Sequence, residues 1–105
     1  MKKTPIACAM AAALLAAPTH AQQPTDARAA SYLAANCANC HGTTGNALGA
    51  MPSLAGQPRA HIVDQLKAFR DGKRPATIMH QLSKGYTDQQ IDLIADHFSR
   101  QKPAR

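Results

Sequence analysis

Cys37, Ala38, Asn39, Cys40 and His41 form a C-x-x-C-H run, with two thiols and an imidazole inside five consecutive residues. Thiols at this spacing can each add across a haem vinyl group, and the histidine that follows is placed to bind the iron through a ring nitrogen. Covalent haem attachment is the chemistry this run supports best. Two other chemistries use a C-x-x-C pair. Structural zinc needs a second pair of soft ligands. The third cysteine, Cys8, stands in a segment expected to be removed, and the remaining histidines make no H-x(3–5)-H pair. A dithiol redox pair normally follows a strand and gains reactivity from a depressed thiol pKa, but no strand pattern precedes Cys37. A haem-free thiol oxidoreductase would be colourless, with both thiols free.

The elements that must position this run follow from local signals. Thr25 can cap a helix starting at Asp26, and the alanine-rich stretch from Ala27 to Ala35 has high helix propensity. Tyr32 and Leu33 are its bulky apolar residues, set among small alanines that would let another helix approach closely. This helix leads straight into Cys37. From Gly42 to Pro58, with Gly45, Gly49, Pro52 and Gly56 between those two limits, glycines and prolines punctuate a loop, whose Leu48, Met51 and Leu54 are expected to touch the edge of a haem. Pro58 suits the first turn of a second helix running to about Arg70, with Ile62, Val63, Leu66 and Phe69 on one face. Asp71-Gly72 ends it, Gly72 as a left-handed cap. Lys73 to Gly85 reads as a second loop with room for one helical turn. Thr87 and Gln90 match a capping box, with Tyr86 and Ile91 as the hydrophobic staple. The last helix, to about Arg100, carries Ile91, Ile94, Ala95 and Phe98 on one face. Three main helices, two loops and no strand predict a small all-α fold.

Lys2 and Lys3, the apolar run from Ile6 to Ala17, and the small-residue ending Thr19-His20-Ala21 have the three-part layout of a secretory signal peptide. The expected organisation is a signal peptide over 1–21 and one domain over 22–105. The apolar run is too short for a hydrocarbon core, which needs about 20 residues, so no membrane span is expected once the signal is cleaved. Export agrees with covalent haem, which bacteria attach outside the cytoplasm, and places the chain in the periplasm. Both mature cysteines are then used by haem, leaving none for a disulfide. A domain of 84 residues has a limited core, and the haem would supply much of it, so the haem-free chain is expected to fold poorly. Cleavage lowers the formal charge from +6 to +4. That balance can steer encounters with an acidic partner protein. The basic residues are scattered and aromatic residues few, which argues against nucleic acid.

With His41 as the proximal ligand, its Nδ1 proton needs an acceptor, and a backbone carbonyl near Pro52 can supply one. Met51, Met79, His61, His80 and His97 are the candidates for the other axial position. Met51 is only ten residues after His41, in the loop assigned to the proximal side. His61 and His97 fall on or beside polar helix faces. Met79, between Ile78 and Leu82 in the later loop, is the favoured ligand, ahead of His80. A His/Met pair raises the reduction potential and suits one-electron transfer.

Over essentially the whole mature chain the sequence resembles the class I c-type cytochromes. Cys37 to Gly42 is similar to their haem box, and Met51 to Gln57 to the loop whose proline carbonyl, here that of Pro52, accepts from the proximal histidine. The stretch from Phe69 to Met79, followed by Lys84-Gly85-Tyr86, resembles the methionine-bearing segment of the haem subunit of flavocytochrome c sulfide dehydrogenases. The resemblance implies a class I cytochrome c-like fold around a single covalent haem. It also implies a periplasmic one-electron carrier, not an enzyme by itself, that receives electrons from an FAD-containing sulfide dehydrogenase subunit. The chain has no nucleotide-binding glycine fingerprint of its own. Some members of that family carry two haem domains, whereas this chain has one C-x-x-C-H, and His97 stands where an aromatic residue is common. The other expectation kept open is a haem-based gas sensor in which Met79 is displaceable; carbon monoxide binding to the ferrous form would mark it.

Overall fold

A computed structural model describes residues 26–105; the expected signal peptide, the Thr25 cap and Cys8 lie outside these residues. Four helices follow one another: α1 (Asp26–His41), α2 (Arg59–Arg70), α3 (Met79–Lys84) and α4 (Asp88–Ser99). No strand occurs among the described residues, as the sequence predicts.

α1 does not stop at Ala35 but continues through the C-x-x-C-H run, so the reactive residues are themselves helical. Ala30 and Ala34, one turn apart, are its buried alanines, and this small-residue stripe allows α4 to pack closely against it. Of the two bulky residues, Leu33 packs on the core, whereas Tyr32 is 70% exposed. α4 supplies the most completely buried stripe, Ile91, Ile94, Ala95 and Phe98. Ile62 and Leu66 of α2 complete the centre. Burying each large side chain contributes about 1.5–3 kcal/mol.

The helix ends obey their sequence signals. Thr87 Oγ1 accepts from the Gln90 N–H (3.2 Å), and Gln90 Oε1 accepts from the Thr87 N–H (3.0 Å), closing the capping box. The start of α2 is one residue later than its signal suggests: Pro58 is the N-cap, in an extended conformation (φ −55°, ψ 132°), and Arg59 is the first helical residue. Arg59–Asp92 (3.1 Å), Lys67–Asp88 (3.5 Å) and Arg70–Asp88 (2.7 Å) tie α2 to α4. These pairs are solvent-exposed and add more orientation than stability.

The later loop is more ordered than the sequence suggests, because Met79 to Lys84 forms a short helix within it. Six residues without a side-chain cap would not be helical alone. Burial of Ser83 and the packing of Met79 on the core hold this helix in place. No helix among the described residues is long and apolar enough to cross a membrane.

Candidate functional site

Positions 37, 40 and 41 are separated by three and four residues from the first, which on a helix places them on one face. Because α1 runs to His41, Cys37, Cys40 and His41 share that face and all three line a cleft of about 350 Å³. Gly42 donates its N–H to the Ala38 carbonyl (3.0 Å), and the chain turns away immediately after the imidazole.

The loop that follows is irregular yet pinned. The Gly45 carbonyl accepts from the N–H groups of Leu54 (2.7 Å) and Ala55 (3.1 Å), and the Phe98 carbonyl accepts from Gly56 (2.9 Å). Ser53 Oγ accepts from the Ala47 N–H (2.9 Å). These bonds hold Pro52 so that its carbonyl accepts the Nδ1 proton of His41 at 2.7 Å. A carbonyl can only accept, so the proton is on Nδ1, and Nε2 keeps its lone pair for a metal. His41 is only 6% exposed. This is the orienting bond a metal-bound imidazole needs.

The other candidate ligands are sorted by position. Met79, the first residue of α3, lines the cleft together with Ile78 and Leu82. His80 does not line it. Its Nδ1 is buried without a partner, as is Ser83 Oγ one turn later. Met51 lines the cleft but is adjacent to Pro52, on the part of the wall that positions His41. His61 also borders the cleft and is exposed. His97 lies away from it, half-buried, with its ring edge-on to Phe98 at 5.1 Å between centroids. Half-burial replaces the solvated position that the polar helix face suggested. Leu48, expected to touch the haem edge, is 88% exposed and does not line the cleft.

The cleft fits a large apolar ring. Its walls are mostly aliphatic and aromatic, and Met51, Ile78 and Leu82 present apolar surface that such a ring would cover. Burial pushes the Cys37 thiol up to about 11, the reverse of the activation a dithiol redox site needs. Among the described residues no group of three or more His, Cys, Asp or Glu side chains is placed to hold a metal ion unaided. From its own position Tyr86 reads as half of the hydrophobic staple, and the resemblance places it in the segment that follows Met79. It also forms part of the cleft wall, where its hydroxyl accepts from Asn36 Nδ2 at 3.3 Å. Those two residues are 50 positions apart and carry no local signal.

Comparison with known proteins agrees with this geometry. The sequence model of the cytochrome c family matches residues 27–100. The cytochrome subunit of sulfide dehydrogenase from Chlorobaculum tepidum is 38% identical over 78 residues, covering 74% of this chain and 71% of that one. A thiosulfate dehydrogenase electron acceptor from Thiomonas intermedia is 36% identical over 83 residues, 77% of this chain but 38% of its own length. Among solved structures, Acidithiobacillus ferrooxidans cytochrome c4 superposes with a TM-score of 0.67 at 30% identity, over 73% of this chain and 51% of the other. The chain belongs to the cytochrome c family, as a class I c-type cytochrome with an all-α fold and one covalently attached haem c. It is an electron carrier that works with redox partner proteins, not an enzyme in its own right.

Proposed function

We propose that Cys37 and Cys40 tether the haem through thioether bonds, that His41 Nε2 and Met79 Sδ take the two axial positions, and that the carrier serves a sulfide-oxidising flavoprotein in the periplasm. The observation that carries the ligand assignment is the His41–Pro52 bond in a cleft that Met79 also lines. When bound, the haem supplies a one-electron ferric/ferrous couple. The protein's part is to hold both states with little rearrangement. The bond from His41 to Pro52 fixes the imidazole and raises its basicity. The soft thioether of Met79 favours the ferrous state, and the apolar walls formed by Leu54, Ile62, Leu66 and Ile94 keep water from the couple. With His41 and Met79 both holding it, the iron would offer no free position to oxygen or peroxide.

The donor assignment rests on the similarity to the sulfide dehydrogenase subunit and on charge. The aspartates of α4 are engaged, with Asp88, Asp92 and Asp96 each paired to an arginine. Lys73, Arg74 and Lys84, in and after the loop that leads to Met79, pair with no carboxylate among the described residues. An excess of cations on that side attracts an acidic partner. The periplasmic location rests on the signal-peptide layout of residues 1–21.

Mild purification of the native protein tests this reading. A mass one haem above the polypeptide cleaved after Ala21 is expected, together with a co-purifying flavoprotein that reduces the haem when sulfide is added. Reduction by that flavoprotein with thiosulfate and not with sulfide would overturn the donor assignment. Carbon monoxide binding to the ferrous form at neutral pH would overturn the closed, six-coordinate site.

A further inference from the structure

The chain does not leave the fold where α4 ends. It turns back over the loop between α1 and α2, and the side chain of Asn46 meets it there. Asn46 Nδ2 donates to the Lys102 carbonyl at 3.1 Å, and Asn46 Oδ1 accepts from the Ala104 N–H at 2.6 Å. A carbonyl can only accept and a backbone N–H can only donate, so these partners fix which way the side-chain amide faces. Nδ2 also donates to Thr44 Oγ1 at 2.9 Å. The two tail partners lie 56 and 58 positions away in sequence, so the clasp joins segments that no local signal would bring together.

Pro103, between the two clasped residues, stands against Gly56. A Cβ at Gly56 (φ +70°) would come 2.5 Å from Pro103 Cγ, a close approach that glycine alone permits. The tail thus grips the loop near both ends, and Pro52 lies between the grips. At the first, the Asn46 carbonyl runs so close to Gly42, the residue after His41, that no Cβ would fit there. At the second, Gly56 follows Pro52 by four residues. Pro52 needs such support, since it is exposed and, as a proline, has no N–H with which to anchor itself. A loop without regular structure opens readily unless it is tied at such points. Asn46, Lys102 and Ala104 do not themselves line the cleft.

We propose that Asn46 is a positioning residue for His41: by clasping Lys102 and Ala104 it keeps the loop in the register at which the Pro52 carbonyl receives the His41 Nδ1 proton. When the clasp opens, the imidazole loses the acceptor that fixes its rotation and its tautomer. The role rests on the reading that His41 holds the iron through Nε2, but it belongs to residues outside the cleft. Thr87 offers a matched control, because its capping box stabilises α4 without touching this loop.

The test is hydrogen exchange of the His41 Nδ1 proton in the ferrous holoprotein, followed by nitrogen-15 NMR. Asn46→Ala removes both tail bonds and should speed this exchange about tenfold, whereas Ala104→Pro removes only the N–H that Oδ1 accepts and should speed it about threefold. Thr87→Ala weakens the whole fold but not the loop, and should leave the exchange within about twofold of wild type. The double variant Asn46→Ala, Ala104→Pro should match Asn46→Ala, because the second change then has no bond left to break. Equal acceleration in Asn46→Ala and Thr87→Ala overturns the proposal, since the His41–Pro52 bond would then open only with the whole fold. A double variant about threefold faster than Asn46→Ala also overturns it, since the two groups would then act independently. Should Asn46→Ala not accumulate with haem, Ala104→Pro against Thr87→Ala decides, and Ala104→Pro no faster than Thr87→Ala overturns the clasp. A wild type without a slowly exchanging proton on His41 Nδ1 would refute the ligand reading and the proposal with it. Failure of the clasp alone leaves that wild-type signal in place, so the two failures are distinguishable.

Discussion

Replacing Gly45 by alanine tests whether the loop between α1 and α2 is a built support for His41 rather than slack chain. Gly45 has φ +79°, and its carbonyl receives the amides of Leu54 and Ala55, two and three residues after Pro52. A Cβ at this position would stand 2.7 Å from Cδ1 of Phe98 and 3.0 Å from the Ala55 nitrogen. Phe98 is only 1% exposed and cannot swing away without opening the core. Two costs therefore add. Left-handed backbone for a residue with a Cβ costs about 1–2 kcal/mol, and overpacking against a fixed ring costs about 1–3 kcal/mol. Gly49 separates the two. It also has positive φ (+66°), but a Cβ there meets nothing within 4 Å, so Gly49→Ala bears only the backbone cost. Guanidinium unfolding of the two holoproteins, followed by circular dichroism, should show Gly45→Ala losing about 2–5 kcal/mol and Gly49→Ala about 1–2 kcal/mol. Gly45→Ala should also perturb the haem spectrum, because the same contact holds Pro52 against His41. Equal losses in the two variants would refute the view that Phe98 and this loop are in fixed register.

The same frame yields three further expectations. Thr87→Ala removes the capping box and should lower stability by about 1 kcal/mol in the same unfolding assay, leaving the haem spectrum unchanged. Asp88 is held below its ordinary pKa first by its hydrogen bond with Arg70, then by the charges of Lys67 and Arg70. Its contribution is thus complete above the unfolded-state pKa and lost as pH falls through the lowered folded value. Acid titration of stability should accordingly be less steep in Asp88→Asn than in wild type below about pH 4. The double variant Cys37→Ala, Cys40→Ala should show much reduced helical circular dichroism, since the cleft walls it leaves uncovered include much of the apolar surface; full native helix would contradict this.

What the sequence revealed depended on how local the cause was. The capping box at Thr87 and Gln90, the left-handed Gly72 and the apolar stripe of α4 each arise within a few neighbouring residues, and each stands where expected. The C-x-x-C-H run, too, carries its chemistry in its own spacing. The short α3 was less visible, because nothing in Met79 to Lys84 would nucleate a helix without the packing that arrives from distant residues. The fates of Tyr32 and Leu48 were illegible for a similar reason. Both are large and apolar, and only the placement of the other elements decides that one faces solvent from α1 and the other from the loop. His97 shows the converse, a polar residue that is half-buried, its ring perpendicular to that of Phe98.

The assignment at the centre of this account is that His41 and Met79 together close the coordination of the haem iron. Absorption spectroscopy of the ferric holoprotein, wild type against Met79→Ala, addresses it directly. The wild type should show the weak red band of a thioether-ligated ferric haem. Met79→Ala should lose that band while keeping the mass of one covalently bound haem. Persistence of the band in Met79→Ala would contradict the assignment and transfer the ligand role to another residue of the cleft.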